Sequence, residues 1–513
     1  MLPVPPFIII VVILLLLILS AAICFWKYSF TYWKRQKCNF LEPTIPFGNA
    51  QSFFLGKRAF GELFGDWYLE MKAKGWDMGG AYFGTKPVFI PIDNQLIKKI
   101  LVTDFSYFQN HGLYINEKID PLSGHLFNLE NRKWKNLRSK MPAAFSSCKL
   151  KNYMVIMDRF TGVLVNRLRN MTESKLPIDI KEVLSKFNVD VISACLFGIE
   201  TKSLENKNVE LMKHGRAFFD IQFCRVFNTI VLLIPKHILA FFKFKLFPTH
   251  VTNYFINFFS DVKAQRAVEK IKRNDLADIL INLSDKTKRV SDIGGNGVME
   301  PLTSTEFVSQ MHLFFEAGFE TTGSTQTFAL YELAANPDIQ EILRVEINTV
   351  LSRFNGIVGY DAITEMTYLD QVINETLRKY PVFPILPRSC ENDYLIPDSN
   401  VTIEKGTLVM VTNLGIHYDP EYYPDPMRFD PERFTSENKA KRPFCSFVPF
   451  GEGQRICVGK LLGLLQSKVG LISILRNFKV TLSEKTNMPF SFEKSGLILN
   501  TKGNLWINLE TIY

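Results

Sequence analysis

The 513-residue sequence predicts a mainly α-helical protein with a minor β portion, set behind an N-terminal transmembrane helix. Three observations carry that prediction. An uncharged apolar run opens the chain. Helix-period patterning dominates from about residue 94 to 380. Strand-like alternation is confined to the N-terminal part and to roughly 390–412, with no β–α alternation long enough for a doubly wound sheet. Hydrophobic residues make up 47% of the chain, and its 44 phenylalanines, 17 tyrosines and 6 tryptophans can fill a large core and still line a cavity. The net charge of +9, from 60 basic against 51 acidic residues, is a modest excess that suits an anionic membrane surface or an acidic protein partner. No finger, GXXG or similar module is present, so no nucleic-acid partner is expected.

The apolar run Phe7 to Trp26 has 20 residues without a charge, about 30 Å of helix and enough to span a bilayer. No basic residue precedes it, and Lys27 and "YWKRQK" (Tyr32 to Lys37) follow it. That charge distribution argues for an uncleaved anchor with the bulk of the protein on the cytosolic side. The expected organisation is an anchor over 1–30, a basic and proline-containing hinge over 31–50, and one catalytic domain over 51–513. The eight cysteines form no CxxC and no zinc or disulfide spacing, so most are expected as free thiols in packed interiors.

Further along, residues 57–80 read as helix, and Gly79 to Ile92 alternates like a small hairpin. Leu129 to Phe145 is a basic helix followed by a proline. Arg216 to His250 is dense in phenylalanine and isoleucine. It fits either two core helices with a connection or a lysine-studded surface that dips into lipid and roofs an apolar pocket. A loop spans Lys286 to Pro301. "TSTE" at 303–306 then opens a long helix with a capping box. The interior of that helix holds Gly318, Thr321, Thr322, Gly323, Ser324 and Thr325. Glycine costs about 1 kcal/mol in a helix, and hydroxyls compete for backbone carbonyls. Either something is accommodated against that face or the helix is locally opened.

"FCSFVPFGEGQRICVGKLLGLLQ" (Phe444 to Gln466) surrounds Cys457 with glycines, aromatics and Arg455. Gly451 and Gly453 permit positive φ or close approach. A helix expected from about Val458 aims free amides at the sulfur, and Gly459 lets a flat ligand approach. Alone, the segment also fits a buried thiol, or a glycine-rich phosphate loop that lacks the closing Lys-Ser/Thr. A thiolate, a flat partner and a cation for a carboxylate together describe haem iron with a cysteine axial ligand and a propionate contact.

Four separated signatures bear this out in order: Phe450, Gly453, Cys457 and Gly459; "AGFETT", Ala317 to Thr322; Glu375 and Arg378 in "ETLRKYP"; and "PERF", Pro431 to Phe434. On them the chain resembles the cytochrome P450 monooxygenases over essentially its whole length. "LRKYPVFPILPR", "EKIDPLSGHLF", "FFEAGFETT" and "GLLQSKVGL" are most similar to the insect CYP6-type microsomal enzymes.

The resemblance implies the P450 fold, haem b (iron protoporphyrin IX) and Cys457 as its iron's axial ligand, with Phe450 shielding the sulfur. Trp134, Arg138, Arg388 and Arg455 would bind the propionates. Gly318 would let the central helix sit close to the ring, beside Ala317 and Thr321. The Thr321 hydroxyl would hydrogen-bond O2 or an ordered water, and Glu320 would relay protons. Glu375, Arg378 and Arg433 would form a buried structural triad. Without a flavin or nicotinamide motif, the electrons would come from NADPH–cytochrome P450 reductase, with cytochrome b5 as a second donor. Arg132, Lys133, Lys135, Lys140, Lys441, Arg442 and Lys460 would steer it if they cluster. The location implied is the endoplasmic reticulum membrane, with the catalytic domain on the cytosolic face. Substrates would be small to medium and hydrophobic: plant toxins or insecticides, with hormones or lipids as the alternative. Candidate lining stretches are 105–120, 216–259, 310–317, 382–386 and 490–497. Glu316 and Gly323 are departures. Glu316 would face a water channel, pair with His312 or point away, and Gly323 would loosen the helix.

Overall fold

The computed structural model describes residues 5–205, 209–217, 231, 233–270, 272–287, 299–494 and 498–512. Cys224, much of the aromatic block after Arg216, the loop at 288–298 and residues 495–497 lie outside them. The apolar run forms the helix Pro6–Ser29, long and apolar enough to cross a membrane and not buried against the body. The stretch expected as a hinge is clamped to the body. Trp33 is wholly buried, its Nε1 donates to the Ala81 carbonyl at 3.0 Å, and its ring fills the place where a Cβ on Gly80 would sit. Leu41, Ala50 and Phe53 are buried with it.

Helices make most of the body, with small sheets at its margins. The expected hairpin is β1 (Met78–Phe83) and β2 (Lys86–Pro91), antiparallel about Gly84 at φ +59°. Of the later strands, β3 (Ile178–Asp179), β8 (Phe478–Leu482) and β9 (Trp506–Thr511) form a sheet in the order β3-β9-β8. β4 (Leu386–Ser389), β5 (Tyr394–Leu395), β6 (Thr402–Ile403) and β7 (Leu408–Val411) occupy the expected second region. The first sheet runs β1-β2-β7-β4, with only β2 and β7 parallel. The sheet containing β8 and β9 corrects the expectation that strands stop near 412. β8 alternates buried and exposed residues for only five positions, and its sheet is completed by a distant two-residue strand.

The central helix, Ser304–Ala335, positions everything that follows. Its capping box is present: Thr303 Oγ1 accepts from the Glu306 amide at 3.2 Å, and Glu306 Oε2 accepts from the Thr303 amide at 2.8 Å. The Gly/Thr-rich interior is unbroken α-helix, Gly323 included. Thr321, Thr325 and Thr327 each donate their hydroxyl to the carbonyl four residues back, at 2.6, 3.0 and 2.7 Å. The helix is therefore not opened there. Gly318 also has a different purpose from the one expected: a Cβ on it would fall 2.3 Å from Ile192 Cγ1 in the helix Ile180–Phe197. It permits helix–helix contact, so its role is packing.

Three buried amides lock this arrangement. Asn188 Nδ2 donates to Gln326 Oε1 at 2.7 Å, Gln466 Nε2 to Asn188 Oδ1 at 2.6 Å, and Gln326 Nε2 to the Gln466 carbonyl at 2.9 Å. They tie the central helix to Ile180–Phe197 and to Lys460–Leu475, the helix that follows Cys457. On the last of these, Gly470 leaves room for the Gln326 side chain.

Gly318→Ala is expected to cost about 1–3 kcal/mol through overpacking, read as a lower unfolding midpoint. Combined with Ile192→Ala, the pair is expected to be less destabilising than the sum of the two single changes. Simple additivity would contradict the contact.

Candidate active site

Cys457 is delivered by a loop whose backbone only glycine accommodates. Gly451 and Gly453 both sit at φ +72°, and a Cβ on Gly453 would come 2.1 Å from the Leu101 carbonyl oxygen. The Cys457 amide donates to the Phe450 carbonyl at 2.9 Å, closing the loop. The following helix begins at Lys460 with Gly459 as its N-cap, two residues later than expected. Burial raises the thiol pKa, opposed by the Gly459 backbone amide and the charges of Arg138 and Lys460. A coordinated cation reverses that balance.

Cys457 lies among protein atoms yet keeps accessible surface. The central helix passes close to the helix that follows Cys457. Amid its buried middle turns, Ala317 is exposed and Leu313, Gly318 and Thr321 are half-buried. Ala317 and Thr321 share one face, four residues apart. The central helix and Lys460–Leu475 approach at Thr322 and Gly463 and are joined at Gln326 and Gln466. Cys457 and Ala317 lie N-terminal to those contacts on their respective segments. A Cβ on Gly459 would meet only Phe145, at 3.9 Å, so contacts within the protein do not themselves demand glycine there.

Near the cysteine loop stand three arginines without an acid. Arg455 stacks over the Trp134 indole at 3.9 Å and spends its donors on the carbonyls of Gln109, Leu126, Phe127 and Leu129. Arg138 Nη2 donates to the Ile456 carbonyl at 2.9 Å, beside Cys457, and its Nη1 is buried without a partner. Arg388, 2% exposed, donates to the Pro387 carbonyl and has an unpartnered Nε. Among the described residues none of the three forms an ion pair with a carboxylate. Burial pulls the Arg388 pKa down to about 10. Burial, reinforced by Arg388, takes Arg455 to about 9. Buried like charges without counter-ions are costly. This cluster fits a dianionic ligand, and Trp134, Arg138, Arg388, Arg455 and Cys457 lie together in the fold.

Glu320 and Thr321 are adjacent in sequence but differently engaged. The Thr321 hydroxyl is turned onto Ala317. Glu320 Oε1 instead accepts from Asn500 Nδ2 at 3.0 Å, and its Oε2 lies 3.8 Å from Arg216 Nε. Sequence reasoning missed both partners; neither stands in a motif, and Asn500 is 180 residues away. Glu316 pairs with His312, Oε1 to Nε2 at 2.8 Å, one turn back on the same helix. Phe490 and Phe492, expected as lining, pack on Phe328 and Tyr380 in a small separate cluster.

The predicted triad is assembled. Arg378 grips Glu375 bidentately at 2.7 and 2.8 Å, and Arg433 Nε lies 3.5 Å from Glu375 Oε1. Burial works against the Arg378 charge, but Glu375 outweighs it and holds that pKa up. The basic residues expected to form a docking surface are partly committed elsewhere. Lys133 pairs with Glu117 and Glu306, Lys441 pairs with Glu437, and Arg442 stacks on Tyr423 and Phe434.

Glu375→Ala leaves Arg378 buried and unpaired. A loss of about 3–5 kcal/mol is expected, measured by denaturant unfolding; an unchanged midpoint would contradict it.

A family model described as "Cytochrome P450" matches residues 51–508. The chain is 37% identical to cytochrome P450 6A1 of Musca domestica, with 96% of each chain covered. It is 36% identical to cytochrome P450 6a2 of Drosophila melanogaster, covering 94% of this chain and 96% of that one. Against cytochrome P450 6k1 of Blattella germanica the identity is 35%, with 94% of each covered. With a family match over most of the chain and relatives matched nearly end to end, the chain belongs to the cytochrome P450 family and is a monooxygenase.

Proposed function

We propose that the protein is a microsomal enzyme that hydroxylates small to medium hydrophobic foreign compounds such as plant toxins or insecticides. Members of the family bind haem b. The observation that carries the site assignment is the meeting of Cys457 with three arginines, Arg388 buried and Arg138 and Arg455 half-buried, that form no ion pair with an acid among the described residues. Cys457 would hold the haem iron, and Arg138, Arg388 and Arg455, the last braced on Trp134, would hold the propionates. Gly459 leaves room at the loop, Phe450 flanks the sulfur, and Ala317 walls the opposite side. When bound, haem supplies the activation of dioxygen that lets one oxygen atom enter the substrate.

The chain's own residues do the rest. The mainly apolar lining expected for the pocket admits apolar substrate and excludes bulk water. The Thr321 hydroxyl, now spent on the Ala317 carbonyl, is placed to hydrogen-bond a ligand or water at the cavity wall. Glu320 is the nearby buried acid that carries protons. Electrons would arrive from NADPH–cytochrome P450 reductase, with cytochrome b5 as a second donor.

The organisation proposed is an anchor at 1–30, a connecting segment at 31–50 and a catalytic domain at 51–513, on the cytosolic face of the endoplasmic reticulum. Lipid contact beyond the anchor is supported by Phe241 and Phe242, 80% and 74% exposed beside Lys236, Lys243 and Lys245.

Reduced protein with carbon monoxide is expected to absorb at about 450 nm, and Cys457→Ser to lose that band. A band only at about 420 nm in folded wild-type protein would overturn thiolate ligation. Product formation should require oxygen, NADPH and reductase together. Type I spectral titration with toxins, insecticides, hormones and fatty acids then separates a foreign-compound role from an endogenous one. Arg388→Met removes a buried charge whose counter-ion would be the ligand. It is expected to speed haem transfer to an acceptor protein about tenfold, near 1.4 kcal/mol, while leaving the unfolding midpoint of haem-free protein no lower.

A further inference from the structure

The apolar helix Pro6–Ser29 reaches the body without a flexible joint. From Lys27 to Glu42 the chain holds neither glycine nor proline. Backbone hydrogen bonds carry across the turn after Ser29. The Phe30 amide donates to the Trp26 carbonyl at 2.9 Å, Thr31 to Tyr28 at 3.0 Å, and Arg35 to Thr31 at 3.0 Å. Phe30 and Thr31 keep helical backbone angles, so the short helix Tyr32–Arg35 continues the apolar one. That end is seated in the body from two directions. On β1, Trp33 is wedged over Gly80. The Tyr82 hydroxyl there accepts from the Trp33 amide at 3.1 Å and donates to the Phe30 carbonyl at 2.9 Å. In the turn between β6 and β7, Thr407 Oγ1 meets Tyr32 Oη at 2.9 Å, and Glu404 Oε1 accepts from Gln36 Nε2 at 2.5 Å. The chain then lines the edge of β1, with the Gly80 amide donating to the Asn39 carbonyl at 2.8 Å and the Leu41 amide to the Gly80 carbonyl at 3.0 Å. β1 belongs to the sheet β1-β2-β7-β4, in which Val409 pairs with Arg388. An unbroken path of backbone and buried contacts thus runs from the apolar helix to the strand that carries Arg388.

We infer that the membrane helix and the catalytic body form one rigid unit, and that the Trp33 wedge sets the angle at which the body stands on the bilayer. A hinge would leave that angle to the body's own lipid contacts at Phe241 and Phe242. A welded joint decides it before any such contact is made. The physical reason is the cost of bending. Swinging the helix away from the sheet would draw the Trp33 indole out of the interior. It would also strip the Ala81 carbonyl of its donor and the buried Tyr82 hydroxyl of both its partners. The same rigidity decides which surface of the body faces lipid and which stays open to a partner on the same membrane.

The test uses the full chain, loaded with haem, in large phosphatidylcholine vesicles. Absorption anisotropy after flash photolysis of the haem–carbon monoxide complex follows the turning of the body. Wild-type protein should show only the slow decay of a body that turns with its anchor in viscous lipid. Two glycines inserted between Ser29 and Phe30 leave the Trp33 seat intact, and should add the fast decay of a body tumbling in water. Phe241→Ser combined with Phe242→Ser should add none. A readout independent of haem is amide hydrogen exchange over residues 30–36. Tyr82→Phe removes only the hydroxyl shared by Trp33 and Phe30, and should quicken that exchange by about threefold or more. A fast decay in the wild type or in the Phe241 and Phe242 variant overturns the weld. So does its absence after the glycine insertion, or exchange unchanged in Tyr82→Phe.

Discussion

The architecture depends on the closed set of amide hydrogen bonds among Asn188, Gln326 and Gln466. Each of these side chains is buried, and each finds its partners within the set or on the backbone nearby. A buried amide left unpaired is costly, so such a network tolerates little sliding of the helices that carry it. It fixes the central helix against Lys460–Leu475, and that spacing in turn sets where Ala317 and Cys457 stand. Gly318 against Ile192 and Gly470 against Gln326 let the helices come close enough for the amides to meet. The small residues of the central helix therefore do not all serve one purpose. Some admit neighbouring helices, while Ala317 stays exposed.

Against this rigid frame the site concentrates unfavourable electrostatics. Arg138, Arg388 and Arg455 are like charges in a desolvated place, and burial depresses the pKa of each. The nearby His111 is held well below its usual value by burial and by Arg388 and Arg455. The Glu375–Arg378–Arg433 group has the opposite character: opposite charges, bidentate geometry and backbone amides complete it internally. One charged cluster is finished within the fold and holds architecture together. The other has no carboxylate partner among the described residues and leaves Arg138 Nη1 and Arg388 Nε without one. That contrast separates the two sets of arginines more clearly than their motifs do.

Much of this was legible in the sequence because the features are local. An uncharged run, a capping box at Thr303 and Glu306, a hairpin about Gly84 and positive-φ glycines at 451 and 453 each follow from a few neighbouring residues. The cysteine loop and the three separated motifs likewise identified the family. What escaped was of longer range. β8 and β9 are too short to announce a sheet that β3 completes. Gly318 reads as room for a ligand until Ile192 is seen beside it, and the 31–50 stretch reads as a linker until Trp33 is found inside the body.

The sequence by itself placed a cysteine in a glycine-rich loop and an acid beside an alcohol on the central helix. Those are matters of residue type and short spacing, while the roles of the distant arginines came from the resemblance to the family. Only the tertiary structure decided how they are engaged. Glu320 turns toward Asn500 and Arg216, Glu316 closes on His312, and Lys133 pairs with Glu117 and Glu306. The reason is physical. A charged side chain takes the strongest partner within reach, and in a chain of this length most of those partners are brought within reach only by helix packing.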